Sequence, residues 1–273
     1  GSNGKTTTKD LLSHVLSVSM NVMGTKGNFN STIGVPLSIF ECSSETEIAI
    51  IEMGASMPGE IEYICNIAQP NMGLITNIYE AHLEYFGDIE AVAKTKSALF
   101  SSLPESGTAF INKDDNFISK MNIPCQRVEY SLDLPADYKG SWGNDNTLKY
   151  LNVNDTPVHL HTPSKAMGMN ALAVFAMASH LGMDSKTIAA QINSFQIPKG
   201  RGEIVNIQNV MLINDSYNSN LESARSGINN LATLYKGKRK IAVIGDMLEL
   251  GNMEKEHHQA LGKYLSEKKV DAV

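Results

Sequence analysis

The chain has 273 residues, of which 42% are hydrophobic and 19% are charged, and this composition excludes a largely disordered protein. The formal net charge is −6 and no long basic run occurs, so we expect no nucleic-acid partner. The three cysteines have neither zinc-site nor CxxC spacing, and this favours a reducing, cytoplasmic environment. No apolar run is long enough to span a membrane. The length predicts two domains.

The first part of the chain alternates between helix and strand patterns. Some segments repeat apolar residues at helical spacing, and short apolar runs typical of buried strands lie between them. The predicted elements are a helix at 5–20, a strand at 47–53, a helix from Pro58 to Ala68, a strand at 72–78, a helix at 88–102 and a strand at 107–112. This alternation predicts an α/β fold with a mostly parallel sheet flanked by helices.

The remainder of the chain predicts a second α/β region after a linker. Residues 126–162 favour short antiparallel strands, and two helices follow, the first containing Ala171 and the second beginning after an Asp184 cap. The sequence at 196–200 is typical of a linker, so we predict a domain boundary near residue 199. Beyond it we expect a strand pair ending at Asn214, a helix at 221–234, a strand at 240–245 and a helix at 253–268.

Residues 1–8 read Gly-Ser-Asn-Gly-Lys-Thr-Thr-Thr and lead directly into the first predicted helix. Glycines let backbone N–H groups approach phosphate oxygens, and the helix dipole favours an anion there. Lys5 can reach the β and γ phosphates, and the Thr6 hydroxyl can bind magnesium. We expect nucleotide contacts from Asn3, Gly4, Lys5, Thr6 and Thr7. Only the second half of the phosphate-loop pattern is present, and a glycine-rich turn with a solvated lysine is the alternative.

Six motifs in a fixed order give the sequence a family resemblance. They are GSNGKTTTKD (1–10), GNFNSTIGVPLS (27–38), EMGASMPGEI (52–61), ITNIYEAHLEYFGDIEAVAKTKSALF (75–100), NDSYNSN (214–220) and GDMLELG (245–251). The ordered set, which spans nearly the whole chain, resembles the Mur ligases. The resemblance implies an ATP-dependent ligase with a central ATP-binding domain at 1–198, its first strand missing, and part of a Rossmann-like C-terminal domain at 199–273.

Within the family, the motifs are most similar to those of the ligases that add D-alanyl-D-alanine to UDP-N-acetylmuramoyl-tripeptide in peptidoglycan precursor synthesis. The resemblance implies that the tripeptide carboxylate attacks ATP to form an acyl phosphate, which the amine of D-alanyl-D-alanine then attacks. It also implies two magnesium ions. We expect a monomer. Because the family's uridine-binding domain has no counterpart here, we expect the chain to be an internal fragment that is inactive by itself.

Two ionisable residues follow predicted strands in the middle of the chain. Glu52 ends one strand and His82 follows another, and the carboxyl ends of parallel strands meet at one edge of a sheet. The resemblance implies that Thr6 and Glu52 bind one magnesium ion and that His82 binds a second. It further implies that Lys96 is carbamylated by carbon dioxide and supplies an anionic oxygen, with Lys94 as the competing lysine. Solvated side chains or loop hydrogen bonds are the alternative roles.

The resemblance assigns three residues to the rest of the nucleotide. Asn170 matches an asparagine that contacts adenine, but the His-Asn pair that precedes it in the family is replaced here, so a helix cap or an interhelix bond is the alternative. Arg201 matches an arginine that reaches ATP and stabilises charge in the transition state. Asp215 matches an acidic residue near the ribose. For Arg201 and Asp215 a surface ion pair is the alternative. The implied catalytic set is Lys5, His82, Lys96 and Arg201.

A further group of polar residues matches family positions near the two substrates. Tyr217, Asn218 and Asn220 match positions that the incoming amine approaches. Asn28 and Asn30 are candidates for lining the muramyl-peptide channel, and helix capping is the alternative for both.

Two other functions are open. One is a related ligase such as folylpolyglutamate synthetase, and the motifs at 214–220 and 245–251 argue against it. The other is a nucleotide-binding module without ligase activity. The presence of Glu52, His82 and Lys96 argues against that module, because binding alone needs no carbamate.

Overall fold

The computed structural model describes residues 1–145, 148–234 and 237–273, which form two compact units. The first unit comprises Gly1–Ile78 and Glu90–Gln196, and the second comprises Tyr79–Ile89 and Ile197–Val273. The final crossing from the first unit to the second follows Gln196, within the segment predicted as a linker.

The segment Tyr79–Ile89 belongs to the second unit, whereas the sequence predicted one uninterrupted domain over 1–198. The backbone N–H of Glu84 donates to the carbonyl of Glu249 over 3.1 Å. Glu80 pairs with His257 at 3.2 Å. These partners lie far away in the sequence, so local patterns do not reveal the association.

Seven of the described helices lie where the sequence predicted a helix, and two short ones, at 34–39 and 83–86, were not predicted. The described helices are α1 (Lys5–Leu16), α2 (Gly34–Ile39), α3 (Glu60–Ala68), α4 (Leu83–Phe86), α5 (Ile89–Ser101), α6 (Lys165–His180), α7 (Ser185–Ser194), α8 (Leu221–Leu234) and α9 (Glu254–Glu267). The cap at Asp184 is confirmed, since its carboxylate accepts from the N–H groups of Lys186 and Thr187. Helix α3 begins two residues later than predicted, because Pro58 lies in a turn in which the Glu60 carboxylate accepts backbone N–H groups.

The strands of the first unit form two sheets. Strands β1 (Val22–Gly24) and β2 (Ile48–Ile50) pair in parallel. The larger sheet contains, in spatial order, β3 (Met72–Leu74), β4 (Thr108–Asn112), β5 (Gln126–Ser131), β6 (Tyr138–Asp145), β7 (Leu148–Val153) and β8 (Thr156–His159). Strands β3 to β6 are parallel, and β6, β7 and β8 are antiparallel. The antiparallel prediction for 126–162 is therefore confirmed for β6–β8 and wrong for β5.

The core of the first unit is built around α6, which lies against β4, β5, β6 and β7. The helix buries residues on nearly all sides, including Ala171, Leu172 and Phe175, as expected of a helix covered by other elements. Helices α1 and α7 pack against it. Gly168 is required for close approach, since an added Cβ would lie 2.7 Å from Cζ2 of Trp142.

The second unit contains a hairpin of β9 (Glu203–Ile207) and β10 (Val210–Asn214), which confirms the predicted strand pair. Helices α8 and α9 pack on each other. Their shared core includes Ile228, Met247 and Leu261. The strand predicted at 240–245 is reduced to a single parallel bridge between Ile241 and Ala272. Among the described helices, none combines the length and apolar character needed to cross a membrane.

The core position of Leu172 gives a first prediction. Leu172→Ala should lower the free energy of unfolding of the first unit by roughly 2–5 kcal/mol, because truncating a fully buried leucine leaves a cavity. Leu37→Ala in α2 is the control, since Leu37 is 48% exposed, and it should change stability by no more than about 0.5 kcal/mol. Urea unfolding followed by the fluorescence of the single tryptophan, Trp142, measures both, and equal midpoints would contradict this account.

Candidate functional site

The loop before α1 is fastened to the carboxyl ends of two strands. The N–H of Asn3 donates to Oδ1 of Asn77 over 2.8 Å. The carbonyl of Asn3 accepts from Oγ1 of Thr76 at 2.6 Å and from Nδ2 of Asn77 at 3.1 Å. The side chain of Asn112 at the end of β4 in turn donates to the carbonyl of Thr76 over 2.8 Å. The loop therefore lies where open parallel sheets bind ligands.

Thr76, Asn77 and Asn112 were not among the predicted site residues. All three follow or end an apolar strand, and Thr76 and Asn77 lie inside one of the six motifs. They could have been predicted from their position, because polar residues that directly follow a buried strand lie at the same sheet edge as the loop.

Gly4 requires the conformational freedom of glycine. Its φ is 81°, in the left-handed region, and an added Cβ would lie 2.8 Å from Oδ1 of Asn170. Asn170 on α6 therefore sits directly against the loop. Its predicted contact with adenine stays a prediction.

The N-terminus of α1 is open to an anion. Gly4, as its N-cap, provides no side-chain cap, and the first turn of the described helix contains no acidic residue. The first-turn N–H groups and the helix dipole therefore favour a phosphate at this point, as predicted for Thr6 and Thr7. The ammonium of Lys5 lies over the loop and donates to the carbonyls of Gly1 at 2.9 Å and Ser2 at 3.3 Å.

Glu52 presents one carboxylate oxygen to protein donors and leaves the other uncommitted. Its Oε1 accepts from the Thr6 hydroxyl at 3.1 Å and from Nδ2 of Asn30 at 2.8 Å. Its backbone N–H donates to Oγ1 of Thr25. Within the described part of the chain, the buried Oε2 has no hydrogen-bond partner, although Glu52 is only 5% exposed. Because an unsatisfied buried carboxylate oxygen is costly, this oxygen fits a cation.

The oxygen atoms of Glu52 and Thr6 suit magnesium better than a metal ion that is held by protein side chains alone. Across residues 1–145, 148–234 and 237–273, no three His, Cys, Asp or Glu side chains converge on one point. Magnesium is commonly held by one or two carboxylates together with phosphate oxygens and water, and Glu52 beside the Thr6 hydroxyl suits that pattern.

Lys96 and Lys94 are distinguished by burial. Lys96 on α5 is 6% exposed, whereas Lys94 is exposed. Burial, with a smaller contribution from the positive charge of Lys5, lowers the pKa of the Lys96 ammonium to about 7. A substantial fraction of Lys96 is therefore the neutral amine near neutral pH. This is the form that reacts with carbon dioxide, so burial favours Lys96 over Lys94, and carbamylation of Lys96 stays a prediction.

Asn30 contacts Glu52 and does not cap a helix. Its carbonyl accepts the N–H of Gly54 at 2.7 Å, and its side chain donates to Glu52. The motifs at 27–38 and 52–61 are thereby joined. Asn28 is exposed, and a channel role for Asn28 and Asn30 stays a prediction.

His82 is described with the second unit, while Lys5, Glu52 and Lys96 belong to the first. Its Nδ1 is hydrogen bonded to the carboxylate of Glu249. The predicted convergence of these residues around metal ions stays a prediction.

Arg201, Asp215 and Tyr217 form one cluster in the second unit. The Arg201 guanidinium lies 3.9 Å from the centroid of the Tyr217 ring, a cation–π contact. Although Asp215 is exposed, the protein around it removes part of its hydration and raises the pKa of its carboxyl, while Arg201 opposes the rise. The resemblance assigned Arg201 and Asp215 to ATP and Tyr217 to the incoming amine, and these roles stay predictions.

Asn218 and Asn220 are engaged in local hydrogen bonds. Asn220 precedes α8 and forms a reciprocal cap with Ser223, whose N–H donates to Oδ1 of Asn220 over 2.9 Å. Oδ1 of Asn218 accepts from the N–H of Ser219. Substrate contacts by Asn218 and Asn220 stay predictions.

Residues 1–178 match the family model of the Mur ligase middle domain, and residues 200–273 match that of the Mur ligase glutamate ligase domain. The chain belongs to the Mur ligase family. The UDP-N-acetylmuramoyl-tripeptide--D-alanyl-D-alanine ligase of Bacillus subtilis is 32% identical to it over 277 residues, which cover 100% of this chain and 60% of that relative.

Two solved structures extend the comparison. A crystal structure of MurF from Acinetobacter baumannii superposes with a TM-score of 0.92 at 30% identity, covering 100% of this chain and 62% of the other. MurF from Thermotoga maritima in complex with ADP gives a TM-score of 0.86 at 31% identity, covering 97% and 62%. The chain therefore spans about three fifths of the length of the relatives it matches.

The surroundings of Gly4 generate a second prediction. Gly4→Ala should weaken ADP binding by about tenfold or more, because the added methyl group would lie 2.8 Å from Oδ1 of Asn170 and would force the Asn170 amide or the loop to move. Isothermal titration with ADP and magnesium measures the affinity.

Gly59→Ala is the matched control. Gly59 has a similar φ of 86°, but no described atom lies within 4 Å of its added Cβ. Both variants should lose roughly 1–2 kcal/mol of stability from left-handed strain, and only Gly4→Ala should lose affinity. Equal ADP affinity in the two variants would refute the role given to Gly4.

Proposed function

We propose that the protein is an ATP-dependent ligase that joins D-alanyl-D-alanine to the terminal carboxylate of UDP-N-acetylmuramoyl-tripeptide, a step of peptidoglycan precursor synthesis. The observation that carries this proposal is the uncommitted Oε2 of Glu52 beside Thr6 at an open phosphate loop. The names of the matched relatives support the choice of substrates. We further propose a monomer that acts in the cytoplasm.

The reaction begins when the tripeptide carboxylate attacks the γ-phosphorus of ATP, and ADP leaves. The amine of D-alanyl-D-alanine then attacks the acyl phosphate carbonyl, loses a proton and expels inorganic phosphate. Lys5 and the first-turn N–H groups of α1 hold the phosphates in line and offset their charge. Arg201 adds a second cation. Tyr217 stacks on its guanidinium and restricts its orientation.

Two magnesium ions, when bound, would neutralise phosphate charge and polarise the transferred phosphoryl group. Thr6 and Glu52 are the proposed ligands of the first ion, and His82 and carbamylated Lys96 serve the second. Asn30 donates to Oε1 of Glu52 and so leaves Oε2 for the cation. Asn170 and Asp215 are proposed to contact the adenosine part of the nucleotide.

Carbamylation would replace a positive charge at Lys96 by a negative charge. The neutral amine of Lys96 adds to the carbon of carbon dioxide, a C–N bond forms, and one proton is released. The product is an anion, so the repulsion between Lys5 and a protonated Lys96 becomes attraction. A module that only bound nucleotide would not need a carbamate at Lys96, so a reactive Lys96 favours the ligase.

Carbamylation of Lys96 is the third prediction. In protein equilibrated with ¹³C-labelled carbon dioxide, the carbamate carbon signal should be present, and it should vanish in Lys96→Arg. Lys94→Arg, which alters an exposed lysine on the same helix, should keep the signal. Because the pKa of Lys96 is lowered to about 7, the neutral amine predominates above that pH. At fixed carbon dioxide pressure the signal should therefore grow as pH rises through about 7. A signal that survives Lys96→Arg would overturn the assignment.

Substrate choice is the fourth prediction. The intact protein, assayed with a panel of UDP-muramyl peptides and amines, should release phosphate with the tripeptide and D-alanyl-D-alanine. Lys96→Arg should reduce this rate by on the order of a hundredfold or more, while Lys94→Arg should not change it. Preference for a single amino acid or for a folate would favour a related ligase instead. ATP binding without product would favour the nucleotide-binding module.

A further inference from the structure

The motif GDMLELG at 245–251 has no part in the proposed reaction, yet it touches the segment that contains His82. The carboxylate of Glu249 is hydrogen bonded to Nδ1 of His82. Both residues belong to the second unit. The motif therefore contacts a proposed metal ligand through a side chain whose purpose is otherwise unexplained.

The chemistry of the pair fixes the proton on the ring. An ionised carboxylate only accepts hydrogen bonds, so the Nδ1 of His82 must carry the hydrogen. In the neutral ring, the lone pair is then on Nε2. A histidine that binds a metal through one nitrogen commonly donates its other N–H to a carboxylate, and that second contact sets the tautomer and the ring orientation.

The backbone on both sides of this contact is strained. His82 has a φ of 54° and Glu249 a φ of 59°, so both are non-glycine residues in the left-handed region. Such conformations are unfavourable for residues other than glycine and are retained where the surrounding structure holds them in place, often at functional sites. The ring of His82 also meets the Phe86 ring at an angle of 68°, which restricts it from a second side.

Other contacts hold the segment in place without the Glu249 side chain. The carbonyl of Glu249 accepts the N–H of Glu84, a bond that any residue at 249 can form. Glu80 pairs with the buried His257 at 3.2 Å. Gly251 lies close to the backbone of Glu84, since an added Cβ would be 3.2 Å from its Cα. The Glu249 carboxylate is therefore not needed to anchor the segment, and its contact is with the ring.

We propose that Glu249 is a positioning residue that fixes the ring of His82 through Nδ1 and leaves Nε2 as the metal-binding nitrogen. The proposal rests on the proposed function, in which His82 binds magnesium. It assigns the second-unit motif a role in metal binding and explains why an acidic residue stands at position 249. Glu80, the other acidic partner of this region, anchors the segment and does not touch the ring of His82.

Three variants of the intact protein separate these roles. Glu249→Ala removes the acceptor. Glu249→Gln keeps an acceptor oxygen and removes the charge. Glu80→Gln weakens the anchoring pair with His257 and leaves the contact between Glu249 and His82 untouched.

The first readout is the ¹⁵N NMR spectrum of His82 in metal-free protein, which reports the tautomer directly. The wild type, Glu249→Gln and Glu80→Gln should show the hydrogen on Nδ1, and Glu249→Ala should show a mixture or the Nε2–H form. Unchanged spectra in Glu249→Ala would overturn the proposal, whatever the activity of the protein.

The second readout is the magnesium dependence of phosphate release. The apparent magnesium affinity should fall by about 10–100-fold in Glu249→Ala, fall less in Glu249→Gln, and stay within about twofold in Glu80→Gln. An equal fall in Glu80→Gln would show that anchoring alone matters and would refute the positioning role.

The failure of the proposed function has a different signature. If the wild type forms no product, the NMR spectrum still tests the tautomer. Broadening of the His82 signals by Mn²⁺ in the presence of ADP then tests metal binding. Absence of broadening in the wild type would overturn the role of His82 as a ligand, and with it this proposal.

Discussion

Both backbone polar groups of Asn3 are hydrogen bonded. Its N–H donates to the Asn77 side chain, and its carbonyl accepts from the side chains of Thr76 and Asn77. These bonds fix a short, glycine-containing loop to the end of β3, and Asn112 links the same point to β4. The start of α1 is thereby set at the sheet edge. Every proposed contact with phosphate depends on that position, because N–H groups bind an anion only when they are held in a fixed direction.

Charge in the first unit is arranged around this anchored loop. Lys96 is buried near the ammonium of Lys5, and Glu52 is a buried carboxylate with one oxygen already committed to Thr6 and Asn30. Burial disfavours a charged ammonium and the nearby charge of Lys5 adds to this effect, which is why the pKa of Lys96 falls. A triphosphate with its metal ions and a carbamate would complete the balance. The same residues that disfavour the lysine cation thus favour the chemistry proposed for it.

The sequence predicted the features that depend on residues close together in the chain, namely helix positions, a helix cap and the phosphate loop. Apolar periodicity located α1, α5 and α9, the Asp184 carboxylate marked the start of α7, and glycine with lysine and threonine marked the phosphate loop. The association of Tyr79–Ile89 with the second unit depends on Glu249 and His257, far along the chain, and no local pattern encodes it. For the same reason the partner of Asn30 was not foreseen. The prediction of a strand at 240–245 was wrong, because in this stretch only Ile241 forms a β-bridge with another residue that the structure describes.

The contact between Gly4 and Asn170 couples two distant positions in the sequence. A side chain at position 4 would need the space that the Asn170 amide occupies, and a bulkier residue at position 170 would press on the loop. Positions 4 and 170 are therefore sterically coupled, so the substitutions that are tolerated at one position depend on the residue at the other. Since α6 is packed on nearly all sides, the Asn170 side chain or the loop must accommodate a change at either position, and we expect related sequences to vary at the two positions together.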